Sequence, residues 1–278
     1  MFDASQPEVV RAVRFALEED IGTGDVTTRS CISERAMAEG RFWAREPMVV
    51  AGVELLPLIY QLRGGVERIE LETRSGDFVP EGTPVARVRG KAWTLLECER
   101  VSLNFIQRLS GVATLARQYA DAVKHTSCRI LDTRKTTPCL RRLEKMAVAA
   151  GGAVNHRIGL FDAILIKNNH ITAAGGVGEA VRRGMQSGLP VEVEVRTRAE
   201  LEEALEAGAP RLLLDNLSPA EAAEWIRHID GRASVELSGG ITLDTVRAFA
   251  ETGADFVSCG AITHSARSMN LNFRIAIE

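Results

Sequence analysis

The sequence predicts an α/β protein in which a mixed N-terminal segment precedes a β/α barrel. Helix and strand patterns separated by turn signals alternate irregularly in the first part of the chain. Beyond residue 125, short β-branched runs alternate with helical patterns, which is typical of a parallel sheet covered by helices. Polar residues end successive runs, and the carboxyl ends of barrel strands are where active sites are built.

Composition limits the possible classes of protein. The chain has 278 residues, 45% of them hydrophobic, which is enough for a large core. The 34 Lys and Arg nearly balance the 37 Asp and Glu, so no overall field would attract nucleic acid or an anionic membrane. Five scattered cysteines without a C-x-x-C pair favour a reducing compartment. The N-terminal pattern is unlike a signal peptide and no apolar run reaches about 18 residues, so we expect a cytoplasmic protein.

The N-terminal elements follow from hydrophobic spacing. We expect a helix over residues 6–19, a loop over 21–28, strands over 37–44 and 67–73, and a helix over 53–62. Turn signals surround short strands over residues 75–92. A long helix from Trp93 to Ser110 continues, after an interruption at Gly111, to Val123.

The second part contains six predicted strands, over residues 128–131, 163–166, 191–195, 211–215, 234–238 and 255–259. Helices are predicted between them, over residues 178–187, 198–207, 219–229 and 242–252. The repeat of about 22 residues suits a β/α barrel. An open doubly wound sheet is the alternative, but it would bring together only the strand ends at its switch point. With about six visible strands the barrel is predicted to be incomplete, and residues 271–277 alternate like an edge strand that returns to the first domain.

Residues 131–171 concentrate cations near predicted breaks, which indicates a pocket for a polyanion. Thr133, Arg134 and Lys135 follow a strand directly, where side chains and free amides can hold a phosphate or carboxylate. His156 and Arg157 follow two glycines and add an imidazole and a planar guanidinium. Arg141, Arg142 and Lys145 are interpreted as the solvated face of the helix between them.

Later strand ends supply the rest of the predicted site. Lys167, Glu194 and Asp215 each end a strand and should lie at the barrel mouth. Glu194 and Asp215 are natural ligands or water-mediated anchors for Mg²⁺, although separate ion pairs remain the alternative. Glu192 points to the same face one layer deeper. The predicted phosphate-binding loops contain Ser238, Gly239, Gly240, Gly260 and Ala261.

Several catalytic classes are excluded because their motifs are absent. The chain has no G-x-x-x-x-G-K-[ST] loop, no G-x-S-x-G elbow and no H-E-x-x-H pair. The residues by themselves therefore predict a Mg²⁺-assisted barrel enzyme that acts on a phosphorylated, carboxylated small molecule, without naming the reaction.

The motifs closely resemble those of the quinolinate phosphoribosyltransferase family. The resemblance rests on EDIGTGDVTT, ECERVSLNFIQRLSGVAT, LDTRKTTPCLRRLEKMAVAAGG, NHRIGLFDAILIKNNHI, EVEV, LLLDN, ELSGGI and VSCGAITHS. It implies an N-terminal α/β sandwich over residues 1–110, completed by residues 268–278, and an incomplete seven-stranded β/α barrel over 111–267. It also implies a homodimer, possibly a higher assembly, with the active site at the subunit interface.

The resemblance further implies a reaction. Quinolinate and phosphoribosyl pyrophosphate would give nicotinate mononucleotide, CO₂ and pyrophosphate, with Mg²⁺ as the cofactor, in NAD biosynthesis. Lys167, Glu194 and Asp215 would be the catalytic residues, and Glu194 and Asp215 would reach the metal through water and pyrophosphate.

The resemblance also assigns the binding residues. Arg100 from the partner subunit, with Arg134, His156, Arg157 and Lys167, would hold the quinolinate carboxylates. Lys135, beside Thr133, would lie nearer the phosphoribosyl donor, and Glu194 and Asp215 would hold its ribose hydroxyls. The 5′-phosphate would bind to Ser238, Gly239, Gly240, Gly260 and Ala261.

One position departs from the family pattern. Cys139 stands where the family generally has glycine, and a positive φ there would strain a cysteine. Two other functions stay open: a paralogue associated with molybdate transport, and an inert barrel that binds a phosphorylated metabolite. The set Arg100, Arg134, His156, Arg157 and Lys167 favours a dianion such as quinolinate over the first, and intact Glu194 and Asp215 disfavour the second.

Overall fold

A computed structural model describes residues 2–278 as two compact units. The first contains residues up to Arg117, Thr136–Gly152 and Ile262–Glu278, and the second contains Gln118–Lys135 and Ala153–Ala261.

The helices are α1 (Pro7–Ile21), α2 (Val26–Cys31), α3 (Leu56–Leu62), α4 (Ala92–Val123), α5 (Arg141–Ala150), α6 (Asn168–Ala174), α7 (Val177–Met185), α8 (Arg198–Glu206), α9 (Pro219–Ile229), α10 (Val246–Ala250) and α11 (Ala261–His264). A 3₁₀ turn over Val53–Leu55 leads into α3. The strands are β1 (Met37–Ala44), β2 (Met48–Val49), β3 (Arg68–Leu71), β4 (Phe78–Val79), β5 (Pro84–Lys91), β6 (Arg129–Leu131), β7 (Ile164–Ile166), β8 (Val191–Val195), β9 (Arg211–Asp215), β10 (Ser234–Ser238), β11 (Phe256–Ser258) and β12 (Leu271–Ile277).

An antiparallel sheet in the order β12-β1-β5-β3 organises the first unit. Every second residue of β1 is buried, as expected for a sheet with one face on the core. Phe42 of β1 packs on Phe273 of β12 with ring centroids 4.6 Å apart. The predicted strand over residues 271–277 is therefore confirmed, and its partner is β1.

Helix α4 is continuous, so the predicted interruption at Gly111 is wrong. A Cβ at position 111 would lie 1.8 Å from the carbonyl oxygen of Arg267. The glycine thus allows close approach of another segment and does not break the helix.

The predicted loop over residues 21–28 is wrong in its second half, where α2 begins. The Asp25 side chain accepts hydrogen bonds from the backbone N–H groups of Thr27 and Thr28, at 2.9 and 3.0 Å. This is N-capping, which satisfies amide groups that the first turn leaves unpaired.

The second unit is built on a parallel sheet in the order β6-β11-β10-β9-β8-β7. All six predicted strands are present, and every residue of β8 is buried, as expected for a sheet covered on both faces. A single parallel bridge between Leu131 and Val154 adds to the β6 edge. The fold is thus mixed α/β with a parallel six-stranded sheet, and the barrel with seven strands stays a prediction.

Several helix predictions need correction. Helix α9 matches its prediction over residues 219–229, but α10 is shorter than the predicted 242–252. Helix α6 was not predicted. In α5, Lys145 is 1% exposed, so its assignment to a solvated face is wrong, whereas Arg141 and Arg142 are half-buried.

Within residues 2–278, none of the helices combines the length and apolar character needed to cross a membrane.

Candidate active site

A cleft of about 300 Å³ opens at the carboxyl edge of the parallel sheet. All six strands, or the turns that follow them, contribute to it, as expected where parallel strands end together. Its lining residues are Thr133, Arg134, Lys135, His156, Arg157, Leu165, Lys167, Glu194, Leu213, Asp215, Glu236, Ser238 and Ser258.

The turn after β6 brings Arg134 and Lys135 into the cleft. The Thr133 hydroxyl accepts a hydrogen bond from the Lys135 N–H at 3.0 Å, which fixes the turn. Arg157 lies on the same cleft and donates from Nη1 to the carbonyl oxygen of Ala163 at 3.1 Å. Burial, followed by the positive charge of Arg134, lowers the pKa of Arg157. Such crowding of cations is relieved when an anion binds between them.

His156 joins the cationic residues to buried carboxylates. Its backbone N–H donates to Asp132 Oδ1 at 2.7 Å, and its Nδ1 accepts from the Arg157 N–H at 2.7 Å. Its Nε2 lies 3.1 Å from Glu192 Oε2 and 3.5 Å from Glu236 Oε2.

The two carboxylates below His156 have different acidities. Burial opposes ionisation of Glu192, but the hydrogen bond from His156 and the charge of Arg211 lower the pKa of Glu192 below its usual value. Burial and the negative charge of Glu192 raise the pKa of Glu236 to about 7. The state in which the pair carries one negative charge is therefore favoured over the state in which both carboxylates are ionised.

Glu194 and Asp215 enter the cleft from the ends of β8 and β9. Glu194 is 6% exposed, and its Oε1 accepts from Arg196 Nη2 at 2.7 Å while its Oε2 lies 3.5 Å from Lys167 Nζ. Asp215 Oδ2 accepts from the side chain of Asn216 at 2.6 Å. Glu194 thus forms the ion pairs that the sequence analysis gave as the alternative to a metal-binding role.

Two carboxylates of the cleft meet the usual requirements of Mg²⁺. Glu194 and Asp215 supply carboxylate oxygens, and Mg²⁺ typically binds through one or two carboxylates completed by water and substrate phosphates. They therefore fit an ion that arrives with a phosphorylated substrate. Among residues 2–278, the one cluster of three metal-ligand side chains is His156, Glu192 and Glu236.

Nine of the predicted site residues line this cleft, and five do not. Lys167 lines it from the N-terminus of α6, and Ser238 lines it from the end of β10. Gly239, Gly240, Gly260 and Ala261 are not among the lining residues. A Cβ on Gly239 would lie 2.3 Å from Asn216 Oδ1, so packing against Asn216 by itself requires glycine there.

Arg100 belongs to α4 in the first unit. There it lines a different cavity, of about 370 Å³, together with Asp25, Thr28 and Glu99.

The sequence interpretation missed Glu236 and Ser258, together with the apolar Leu165 and Leu213. Glu236 lies two residues before Ser238 in β10 and shares its face of the sheet. This two-residue spacing could have predicted Glu236 from Ser238, just as it linked Glu192 to Glu194 in the sequence analysis.

Together, the fold and the cleft define an α/β protein whose cationic cleft, at the carboxyl edge of a parallel sheet, suits a small polyanion. The comparisons with known proteins are specific. Residues 25–110 match the family described as "Quinolinate phosphoribosyl transferase, N-terminal domain", and residues 112–274 match "Quinolinate phosphoribosyl transferase, C-terminal domain". The chain belongs to the quinolinate phosphoribosyltransferase family.

Individual relatives agree with the family assignment. The "Probable nicotinate-nucleotide pyrophosphorylase [carboxylating]" of Bacillus subtilis (strain 168) is 39% identical over 263 residues, which is 94% of this chain and 91% of the relative. The "Quinolinate phosphoribosyltransferase [decarboxylating] 2a, mitochondrial" of Nicotiana tabacum is 39% identical over 96% of this chain and 82% of its own length. NadC from Streptococcus pyogenes, whose crystal structure is known, has 35% sequence identity to this chain. The two structures superpose with a TM-score of 0.94 over the full length of both chains.

Proposed function

We propose that this enzyme transfers a phosphoribosyl group to quinolinate and releases CO₂, which gives nicotinate mononucleotide for NAD biosynthesis. The observation that carries the proposal is a single cleft that combines Arg134, Lys135, Arg157 and Lys167 with the carboxylates Glu194 and Asp215. Four cations suit a dicarboxylate and a polyphosphate. The carboxylates suit ribose hydroxyls and a metal ion.

The dicarboxylate is assigned to the cationic part of the cleft. Arg134, Arg157 and Lys167 would bind the two carboxylates of quinolinate, with His156 beside them. The lowered pKa of Arg157 supports this assignment, because an anion between Arg157 and Arg134 relieves their repulsion. Lys135 would lie nearer the pyrophosphate of the donor.

The phosphoribosyl donor is assigned to the carboxylate side. Glu194 and Asp215 would accept hydrogen bonds from the ribose hydroxyls and hold Mg²⁺ through water and pyrophosphate. When bound, Mg²⁺ would neutralise charge on the leaving pyrophosphate. The turns at Ser238, Gly239, Gly240, Gly260 and Ala261 would bind the 5′-phosphate.

The chemistry follows from these positions. The ring nitrogen of quinolinate forms a bond to the anomeric carbon of ribose while the bond to pyrophosphate breaks. Glu194 and Asp215 would lie near the ribose ring, where positive charge develops, and would stabilise that charge. The cations that hold both carboxylates bring the ring nitrogen to the anomeric carbon. The positively charged ring then accepts the electron pair of the breaking carbon–carbon bond as CO₂ leaves, and a proton takes its place.

The finer architecture is part of the proposal. We assign residues 111–267 to an incomplete seven-stranded β/α barrel and residues 1–110 with 268–278 to an α/β sandwich. Arg100 of a partner subunit would complete the site in a homodimer, which gives a function to an arginine that lines no part of this cleft. The cytoplasmic location stays a prediction.

A product assay tests the function. Purified protein with Mg²⁺, phosphoribosyl pyrophosphate and quinolinate is expected to release CO₂ and nicotinate mononucleotide in equal amounts. Nicotinate replaces quinolinate in the control reaction, where the missing carboxylate leaves cations unpaired and turnover should be lost. Turnover of nicotinate, or none of quinolinate, would contradict the proposal, and the second result would favour the paralogue or the inert barrel.

A further inference from the structure

The parallel sheet carries an ionic cluster that the proposed chemistry does not use, and one of its residues, Glu236, lines the cleft. The cluster consists of Arg211, Glu192 and Glu236, on the adjacent strands β9, β8 and β10. Glu192 is 5% exposed and Glu236 is 1% exposed. Buried carboxylates are costly unless they are paired, so their presence in a sheet interior calls for a function.

Arg211, the first residue of β9, contacts the carboxylates of both Glu192 and Glu236. Its Nη2 donates to Glu236 Oε2, and its Nε lies 3.1 Å from Glu192 Oε1. The angle of the second contact is not that of a hydrogen bond, so these two buried atoms form an ion pair without one. The guanidinium also lies 4.1 Å from the centre of the Phe256 ring, which fixes its plane.

The imidazole of His156 connects this cluster to the cleft. The Arg157 N–H donates to His156 Nδ1, so Nδ1 carries a lone pair and the ring proton is on Nε2. Nε2 faces Glu192 and Glu236. Both ring nitrogens are therefore engaged within the protein, and the imidazole spans from the carboxylates to the backbone of Arg157.

The charge of the cluster suits a position under an anion site. Two full negative charges there would repel a bound dianion. Arg211 offsets one of these charges, because its guanidinium contacts both carboxylates. The second charge is weakened, because burial and the charge of Glu192 raise the pKa of Glu236 to about 7.

We propose that Arg211, Glu192 and Glu236 are positioning residues that fix the Nε2–H tautomer of His156 and, through Nδ1, the orientation of Arg157 toward the substrate carboxylates. His156 thereby acts as a link as well as a residue of the cleft wall. The kinetic part of this inference rests on the proposed function, whereas the tautomer of His156 does not.

The side chains of His156, Glu192 and Glu236 are close enough together to hold a metal ion. Arg211 argues against one, because its guanidinium already contacts both carboxylates and would repel a cation at that point.

The test compares Glu236→Ala with Glu236→Gln. A glutamine amide keeps an oxygen that can accept from Arg211 and offers an N–H group to the neighbouring carboxylate of Glu192, whereas alanine has neither. Glu236→Ala should raise KM for quinolinate about tenfold or more, which corresponds to about 1.4 kcal/mol, and should change KM for phosphoribosyl pyrophosphate less than about threefold. Glu236→Gln should stay within about threefold of the wild type for both. Glu179→Ala, at an exposed pair with Arg183, is the matched control and should change neither.

Nitrogen NMR of His156 in the free protein provides the independent measurement. The wild type and Glu236→Gln should show a protonated Nε2 and an unprotonated Nδ1. Glu236→Ala should lose this single tautomer, and thermal unfolding should show that the alanine variant remains folded. Protonated Nδ1 in the wild type would overturn the proposal, as would equal effects of alanine and glutamine or a rise in both KM values. A metal ion bound at His156 in the purified wild type would also overturn it. If the wild type turns over no quinolinate, the NMR result still decides the tautomer.

Discussion

At the scale of single residues, the cleft shows why charge type by itself does not define a role. Arg134 and Arg157 were predicted from their place after strands and glycines, and both line the cleft. Lys145 comes from the same cation-rich stretch but is fully buried in α5. The sequence gives the same positive charge in each case, and only packing distinguishes a cleft residue from a buried one.

Cys139 adopts φ of 65°, so the positive φ suspected at this position is confirmed. Cysteine in the left-handed region costs about 1 kcal/mol relative to glycine. The side chain is exposed, so removing it loses little packing.

We therefore predict that Cys139→Gly is about 1 kcal/mol more stable to unfolding than Cys139→Ala, because only glycine relieves the strain. Denaturant titration of both variants measures the difference. Equal stabilities of the glycine and alanine variants would show that residue 139 is not strained in solution.

At the scale of elements, continuous apolar strands were predicted most reliably. The runs at residues 191–195, 211–215 and 234–238 coincide with β8, β9 and β10. Their β-branched residues and buried faces leave little choice of conformation. Short elements such as α2 and α6 were missed, because a few residues carry too little periodicity and a single cap decides them.

Helix α4 gives a direct test of how glycine acts within an element. Alanine for glycine inside a helix normally raises the free energy of unfolding by about 0.5 to 1 kcal/mol. At position 111 the new Cβ would collide with the carbonyl oxygen of Arg267.

We predict that Gly111→Ala lowers the free energy of unfolding by about 1 to 3 kcal/mol through overpacking. Gly184→Ala in α7 is the control, since its Cβ would meet Ile166 and Val191 at an ordinary 3.5 Å and should stabilise the protein. Thermal and denaturant unfolding measure both changes. Stabilisation by Gly111→Ala would mean that Arg267 can move away from α4.

At the scale of the whole molecule, we propose that the active site needs a second subunit. Arg100 lies in the first unit, while the residues of the cleft belong to the second. In a symmetric dimer, each active site would combine the cleft of one subunit with Arg100 of its partner.

We predict that Arg100→Ala and Lys167→Ala, each nearly inactive alone, recover activity when their subunits are mixed. Random exchange makes half of the dimers hybrids, and each hybrid has one intact site, so recovery should approach about a quarter of wild-type activity. Quinolinate turnover after unfolding and refolding the mixture measures it.

Lys167→Ala mixed with Asp215→Ala is the control for subunit exchange. Both changes lie in the same cleft, so every site in that mixture keeps one defect and no recovery is expected. No recovery with Arg100→Ala would place Arg100 in the same subunit as the cleft it serves. Recovery in the control would show instead that Lys167 and Asp215 of one site come from different subunits.

The sequence by itself determined the order of elements, the strands of the parallel sheet and the polar residues at their carboxyl ends. These features follow from local periodicity and from the rule that parallel strands end on one edge. Only the tertiary structure decided that Gly111 serves a close contact, that Lys145 is buried, and that Glu236 and Ser258 join the cleft. Only it showed that Arg211, Glu192 and Glu236 meet beneath His156, because contacts between strands distant in sequence depend on register and packing, which single-residue patterns do not encode.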